Sequence, residues 1–587
     1  MNWNVGSIIA IAVTVCGTIA AAADQPVRLN NLVVVHLDLE SPQTGTFEFT
    51  FEDAGWVFVR TRDGRENAQV LLSGLKAPLI AYGANESGTR EAMRRISAGR
   101  HRVTLMGGGV GRLEVRRVPE IRYCKFQYDP WVYHDGPYDW QFLTKWMLPH
   151  VNTIIGQVGI DQSQWATAWR ERGGRWIVER MAPGIDRRGL EEKLRTITAD
   201  EVYQGLLDEE GTGPAYIDGQ IFDEYFPSLE FLFEPTVAAL QRIQSEKRLA
   251  NKSIDLYIAA DADDVAELTR GALAAGSFIA LETYNPEQPT EAEAKKFLQR
   301  RLADAMSKYR QVQAGAQKRM IVALGILSAP PESLDVYPQV NYRKFQDLEF
   351  QVLANDPALE DLFGVMTYTS GYAEEETIRW VGKLYRHYCI EGHTKPLCDE
   401  PYHLPHLDNP DFTEGTSDWD IQPAGENSIE VRQIKDVGYL AARYGTRQAG
   451  NQCLIMTRSA ARPNRIQQTI KDLTPGCVYS LRMYSFPIGA LARGYGNPVF
   501  DDVSKLDIAI DGAELVEEKC FDHIYRSVHT SELKYFNYHV RRFRASASTA
   551  KLTISDWMYP NRRVGNVGRQ TGMHFVEVRP YLDDSMP

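Results

Sequence analysis

Acidic side chains stand at the ends of two apolar runs in the middle of the chain. Asp223 and Glu224 follow the run 215–222, and Glu282 follows the run 278–281. A carboxylate held at the end of an apolar strand loses solvation, so its pKa rises toward the range of a general acid. Two opposed carboxylates can cleave a glycosidic bond, because one protonates the leaving oxygen while the other attacks the sugar or activates water. The pattern predicts Glu224 as the acid and Glu282 as its partner, with Asp223 orienting a sugar hydroxyl, holding Glu224, or acting as the acid itself.

Tyrosine and tryptophan side chains are concentrated in the segments where such runs end. Their flat apolar faces and polar edges suit sugar rings and sugar hydroxyls. We therefore predict a set of substrate-binding residues, namely Trp131, Tyr133, Trp140, Tyr225, Tyr284, Tyr368 and Tyr372.

Short apolar runs alternate with helical stretches between residues 121 and 403, which is typical of a parallel sheet. The runs are Ile121–Phe126, Val151–Gly156, Arg175–Arg180, Ala215–Phe222, Ile254–Ala259, Ser277–Thr283, Met320–Leu327 and Phe363–Tyr368. Eight β/α units in about 280 residues predict a (β/α)₈ barrel, whose active site lies at the C-terminal ends of the strands. An open doubly wound sheet is the alternative, but no phosphate-binding glycine loop follows the first run. The clearest helix, 291–313, begins with a Thr290-x-x-Glu293 capping box.

Alternating apolar and polar residues from Val27 to Glu120 predict an N-terminal β-sandwich. The glycine run 107–111 lies between two such strands and is interpreted as a hairpin turn. It does not fit a dinucleotide-binding motif, because Arg112 stands where the last glycine would be required.

A second alternating region begins after the Pro-rich segment at Pro401. The segments 409–419, 466–479, 552–556 and 575–578 resemble the galactose-binding-like β-sandwiches found in many carbohydrate-binding domains. These boundaries predict a signal peptide over 1–23, an N-terminal sandwich over 24–120, a barrel over 121–403 and a C-terminal jelly-roll sandwich over 404–587.

The predicted domain order resembles that of the (β/α)₈ glycoside hydrolases, which often carry β-sandwiches before and after the barrel. The resemblance implies an O-glycosyl hydrolase. Many of these enzymes place an Asn-Glu pair after strand four and a second Glu after strand seven. Here Asp223 stands in place of that Asn, and strand seven ends in Leu327-Ser328, so the second carboxylate is assigned to strand six.

The cluster His387, Cys389, His393 and Cys398 has a spacing that admits three interpretations. A Cys389–Cys398 disulfide is favoured because the chain is expected in an oxidising compartment. A zinc site and free thiols are the alternatives. We predict no cofactor. Esterase chemistry and P-loop chemistry are disfavoured, because neither the GxSxG nor the GxxxxGK(S/T) motif occurs.

Charge and the N-terminal segment indicate where the protein works. Lys+Arg 65 against Asp+Glu 77 gives a net charge of −12, which argues against nucleic acid as a partner. The uncharged run 7–23 ends in three alanines and predicts a cleaved signal, with an uncleaved anchor as the alternative. We therefore predict a secreted, periplasmic or cell-surface glycoside hydrolase that acts on a polysaccharide or oligosaccharide and keeps no membrane span after cleavage. A non-catalytic exported glycan-binding or scaffold protein is the alternative.

Overall fold

The structure, a computed structural model, describes residues 25–124, 138–157, 162–183, 196–207, 212–249, 252–435, 437–439, 450–488, 506–526, 535–557 and 566–583. The chain divides into two compact units, one of residues 1–29 and 33–118 and one of residues 30–32 and 119–587. The predicted signal segment lies outside the described residues.

The first unit consists of two antiparallel sheets that share one core. Its strands are β1 (Val27–Arg28), β2 (Val34–Glu40), β3 (Gly45–Phe51), β4 (Gly55–Gly64), β5 (Gln69–Leu72), β6 (Ile80–Ala81), β7 (Gly88–Ile96), β8 (Gly99–Met106) and β9 (Arg112–Val118). One sheet has the order β1-β2-β9-β4-β7 and the other β3-β8-β5-β6. Val57 and Val115 from the first sheet pack with Val70 and Val103 from the second, as expected of alternating strands.

The glycine run 107–111 is a turn, but the prediction that it closes a hairpin is wrong. Strand β8 pairs with β3 and β5, whereas β9 pairs with β2 and β4. The run therefore carries the chain from one sheet to the other. Gly107 has a φ of 79°, and a Cβ there would lie 2.0 Å from the carbonyl oxygen of Asn67, so the crossing requires glycine.

The centre of the second unit is a closed barrel of eight parallel strands, as predicted. The strands are β10 (Glu120–Cys124), β11 (Thr153–Gln157), β12 (Arg175–Met181), β13 (Gly219–Tyr225), β14 (Ser253–Ile258), β15 (Phe278–Thr283), β16 (Met320–Gly325) and β17 (Gly364–Tyr368). Each pairs with its neighbours in sequence, and β10 closes the ring on β17. Every predicted run overlaps one of these strands.

Helices follow the barrel strands and cover them. They are α1 (Trp140–Trp146), α2 (Ser163–Glu171), α3 (Ala199–Leu206), α4 (Phe233–Ser245), α5 (Ala266–Ala274), α6 (Glu291–Leu298), α7 (Ala305–Val312), α8 (Tyr342–Asn355) and α9 (Glu375–Leu384). A π-helical turn, Gln299–Asp304, joins α6 to α7, and a second, Tyr385–Ile390, follows α9. Shorter 3₁₀ turns are Leu148–His150, Pro227–Leu232, Ala316–Arg319, Pro357–Leu359, Ser370–Tyr372, Val437–Tyr439 and Glu517–Lys519. Thr290 caps α6 as predicted, with its Oγ1 accepting from the Glu293 amide at 3.2 Å.

The N-terminal end of the barrel interior is filled by a buried ion cluster, here called the floor. Arg122 donates to Glu120 at 2.7 Å and to Asp255 at 2.6 Å, and all three side chains are fully buried. Arg175 adds a contact to Glu120 at 3.1 Å. Polar groups at this end of a barrel serve stability rather than catalysis.

Arg122→Met should lower the free energy of unfolding by about 3–5 kcal/mol, because it removes the cation bonded to buried Asp255 and leaves buried Glu120 with Arg175 alone. Arg170→Met is the control, since Arg170 pairs with Asp218 on the surface at 3.1 Å with 40% of its side chain exposed. A surface pair of this kind contributes about 1 kcal/mol or less. Thermal and urea unfolding measure the free energy of unfolding of both variants. Equal decreases in Arg122→Met and Arg170→Met would contradict a stabilising role for the floor.

Two further antiparallel sheets follow the barrel. Their strands are β18 (Asp420–Gln422), β19 (Ile429–Gln433), β20 (Gln452–Thr457), β21 (Arg465–Ile470), β22 (Val478–Pro487), β23 (Asp507–Asp511), β24 (Ala513–Leu515), β25 (Phe521–Arg526), β26 (Tyr535–Ala545), β27 (Ala550–Ser555) and β28 (Gln570–Pro580). One sheet has the order β18-β21-β27-β23, and the other has the order β19-β20-β28-β22-β26-β24 with β25 paired to β26. Leu481 and Met483 pack against Leu552 and Ile554 between the two sheets, called the C-terminal sandwich below. Within the described ranges, no helix is long and apolar enough to cross a membrane.

Candidate active site

Three barrel strands carry a carboxylate two residues after a buried interior position. The interior residues are Ile177, Ile221 and Ala280, and the carboxylates are Glu179, Asp223 and Glu282. Because side chains alternate along a strand, each carboxylate shares the barrel-facing side of its strand with the interior residue before it. All three are partly exposed, which places them at the C-terminal end of the barrel interior, called the mouth here. The mouth is where (β/α)₈ enzymes perform their chemistry.

Tyr257 of β14 and Tyr368 of β17 lie beside these carboxylates. Their rings meet edge to face with centroids 5.9 Å apart. Burial raises the pKa of both phenols well above the usual value, and the charges of Glu179 and Asp223 raise both further. The charge of Glu282 also raises the pKa of Tyr368. Both phenols therefore stay protonated at neutral pH, and Tyr368, which is partly exposed, can donate a hydrogen bond in the mouth.

Tyr284, at the end of β15, extends this aromatic wall. Its ring stacks on Tyr368 with centroids 5.5 Å apart and an interplanar angle of 10°. Gly325 makes room for the ring, since a Cβ there would lie 3.1 Å from Tyr284 Cδ1 and 2.7 Å from Leu334. Two predicted substrate-binding residues, Tyr284 and Tyr368, are thus brought together in the mouth.

Glu179 is the third carboxylate of the mouth, although its sequence neighbour Arg180 favours a role in an ordinary ion pair. Its Oε2 lies 3.6 Å from the thiol of Cys124, the last residue of β10. The Tyr257 hydroxyl donates to Met366 Sδ at 3.4 Å and lies 3.9 Å from Cys124 Sγ. The signal for Glu179 was its spacing, since it follows Ile177 as Asp223 follows Ile221.

A bulge in β13 changes the direction of the residues after Asp223. The register with β14 shifts by one residue between Phe222 and Tyr225. Tyr225 therefore turns away from the interior, is fully buried, and its hydroxyl lies 3.3 Å from Thr236 of α4. The prediction that Tyr225 binds substrate is wrong for this reason. Glu224, the predicted acid, belongs to β13, but its side chain lies outside the described part of the structure.

The other predicted aromatic residues lie elsewhere. Trp140 stacks on Trp165 in the helical layer, with centroids 5.1 Å apart. Tyr372 is partly buried, and its carbonyl accepts from the amides of Ser328 and Ala329 at 2.8 and 2.9 Å. Trp131 and Tyr133 lie outside the described residues, so their assignment stays a prediction.

Cys389 and Cys398 are free thiols in the structure, so the favoured disulfide is not formed. Both are buried, and burial raises the pKa of Cys389 well above that of an ordinary thiol and the pKa of Cys398 to about 11. His387 Nε2 contacts the Lys395 carbonyl oxygen at 2.8 Å. Within the described ranges, no three His, Cys, Asp or Glu side chains are grouped as metal ligands, so the zinc alternative has no site here.

A Ser–His–Asp chain lies in the C-terminal sandwich. Ser485 Oγ is 2.7 Å from His539 Nε2, and His539 Nδ1 is 2.6 Å from Asp522 Oδ1. Burial alone would raise the pKa of Asp522, but His539 and Arg541 lower it to about 2. In a hydrolytic triad the serine must reach substrate while the acid is buried. Here the serine is fully buried and 44% of the Asp522 side chain is exposed. We therefore assign these three hydrogen-bonded side chains a structural role, which is to hold β22, β25 and β26 together.

No protein-family model and no curated protein sequence matches this chain. Among solved structures, a chitinase from Chromobacterium violaceum is 8% identical, covers 46% of this chain and 98% of its own, and has a TM-score of 0.32. A beta-galacturonidase from Eisenbergiella tayi is 9% identical, covers 66% and 98%, and has a TM-score of 0.31. TmCBM61 in complex with beta-1,4-galactotriose is 12% identical, covers 30% and 97%, and has a TM-score of 0.16. Likenesses of this size establish nothing about substrate or chemistry, which rest on the side chains alone.

Proposed function

We propose that this protein is a glycoside hydrolase whose catalytic carboxylates are Asp223 and Glu282. The observation that carries the proposal is that Glu179, Asp223 and Glu282 lie on the barrel-facing side of three strands at the mouth, where the charges of all three act on the Tyr368 phenol. Carboxylates from separate strands, facing one space beside aromatic rings, are the groups that glycosidic cleavage requires.

The proposed chemistry divides between the two carboxylates. One protonates the glycosidic oxygen as the bond to the leaving sugar breaks, and the other attacks the anomeric carbon or removes a proton from water. Tyr368, which remains protonated, supplies a hydrogen bond to a sugar hydroxyl or to the ionised carboxylate. The stacked rings of Tyr284 and Tyr368 form the apolar wall for the sugar.

We further propose that the chain is exported and that its C-terminal sandwich is a galactose-binding-like jelly roll. The first proposal follows from the apolar segment 7–23, and the second from the sequence segments 409–419 and 466–479. Both fit an enzyme that meets a carbohydrate polymer outside the cytoplasm.

A glycan screen tests the activity. The purified protein is incubated with a library of polysaccharides and oligosaccharides, and new reducing ends are measured at several pH values. We expect release from at least one glycan, with no dependence on added metal. Binding of a glycan without any release would instead favour the exported glycan-binding protein. If the protein neither bound nor cleaved any glycan, carbohydrate would be excluded as its partner.

A further inference from the structure

Two buried arginines of the C-terminal sandwich reach into the segments that follow the last two barrel strands. Arg482 of β22 pairs with Asp335 and Glu577, contacts Glu374 at 3.4 Å, and donates to the Ser328 carbonyl at 3.2 Å. Asp335 and Ser328 belong to the segment 326–340 after β16, and Glu374 lies just before α9.

The second arginine, Arg579 of β28, binds the same acidic groups from the neighbouring strand. It contacts Asp335 at 3.0 Å and Glu374 at 2.9 Å, and it also pairs with Glu376. The Tyr538 hydroxyl of β26 donates to the other oxygen of Glu374 at 2.5 Å. Every residue in this network is buried. We call Arg482, Arg579 and Tyr538 the clamp.

The two barrel segments that the clamp holds are also bonded to each other and to the aromatic wall. The Ile326 amide donates to the Tyr368 carbonyl at 2.8 Å, and the Ser328 amide donates to the Tyr372 carbonyl at 2.8 Å. The Glu374 amide donates back to Ser328 Oγ at 3.1 Å. The backbone that carries Tyr368 and Tyr372 is therefore connected through Ser328 and Glu374 to the clamp.

We infer that Arg482, Arg579 and Tyr538 are positioning residues, and that the C-terminal sandwich holds Tyr368, and with it the Tyr284–Tyr368 aromatic wall of the mouth, in its sugar-binding geometry. The link to sugar binding rests on the proposed function, whereas the holding of the segments does not. Ion pairs with this burial resist separation, because parting them leaves uncompensated charges in an apolar interior. The sandwich is thus a fixed part of the mouth rather than a tethered module.

Hydrogen exchange of the full-length protein tests the holding. Arg482→Lys and Arg579→Lys keep the charge but lose the planar fork that reaches several carboxylates at once. We expect amides in 326–340 and 369–378 to exchange at least tenfold faster in either variant. Tyr538→Phe, which removes one hydroxyl and keeps the ring, should speed exchange severalfold. It provides the same test if an arginine variant does not fold. Arg541→Lys, on the same sandwich but paired with Asp522 at 3.0 Å, should leave both segments unchanged.

Kinetics with the glycan turned over fastest in the screen tests the positioning. A loosened aromatic wall should raise KM at least threefold with kcat within twofold of the parent, because the carboxylates stay in place. A merely destabilised enzyme would lose kcat at constant KM, since fewer molecules are active. Unchanged exchange in both lysine variants and in Tyr538→Phe would overturn the inference, as would faster exchange with unchanged KM. If no glycan is cleaved but exchange is faster, the proposed function fails and the clamp stands.

Discussion

Asp223→Asn and Glu282→Gln should each lower turnover by about 10²–10⁴-fold, the range that a positioned acid or base contributes. Each substitution removes a titratable group while preserving nearly the same volume at the mouth. Binding of the glycan, measured by calorimetry with the inactive variants, should change little, because the stacked tyrosines remain. The fall should therefore appear in kcat.

The control for these variants is Glu267→Gln, an exposed carboxylate on α5, which should keep full activity. Glu179→Gln tests the third carboxylate, whose loss should also reduce turnover if its charge acts on the same sugar. Glu224→Gln tests the residue that the sequence predicts as the acid. Full activity in both Asp223→Asn and Glu282→Gln would show that these side chains are not the catalytic pair.

The protein should lose stability between pH 4.5 and pH 8, and Glu349→Gln should remove part of that loss. Glu349 of α8 is buried, and burial raises its pKa to about 8 although the Asn285 amide donates to it at 2.9 Å. Above pH 4.5 the unfolded chain releases this proton while the folded chain keeps it. The free energy of unfolding then falls by about 1.4 kcal/mol per pH unit, or about 5 kcal/mol over the whole interval. This stability is fully present below pH 4.5 and is lost as the pH rises through 8.

Thermal midpoints of the parent and of Glu349→Gln, measured from pH 5 to pH 8, test the assignment. Glutamine still offers an acceptor to Asn285 but cannot titrate, so its midpoint should fall less steeply. Other buried groups titrate too, such as His574, whose pKa burial lowers to about 4, but they are common to both proteins and cancel in the difference. Glu414→Gln, at an exposed position, should follow the parent. Parallel curves for the parent and Glu349→Gln would show that Glu349 is ionised in the fold.

The barrel could be predicted because its local patterns and its topology agree. Each strand is an apolar run bounded by a helix, and the alternation of runs and helices leaves few arrangements other than a closed parallel ring. The glycine run 107–111 shows the limit of such reasoning. Its flanking strands have the pattern of a hairpin, but partner choice between two sheets depends on contacts that no local pattern contains.

The mouth could be predicted only in part, for two physical reasons. Asp223 and Glu282 stand out because no cation follows them in sequence, whereas Glu179 was discounted for its neighbour Arg180. Counting positions from Ile177 would have placed Glu179 on the interior face. Tyr225 was misplaced by the opposite error, since strict alternation from Ile221 turns it inward and only the bulge turns it out.

The ion network between barrel and sandwich also bears on how such a protein can be recombined. A binding domain attached through a flexible linker can be moved to another catalytic domain without loss to either. Here the acidic side chains Asp335, Glu374 and Glu376 belong to the barrel, and their arginine counter-ions belong to the sandwich. Separating the two at Pro401 would divide one electrostatic unit, so the barrel and its sandwich have to be inherited, exchanged and engineered together.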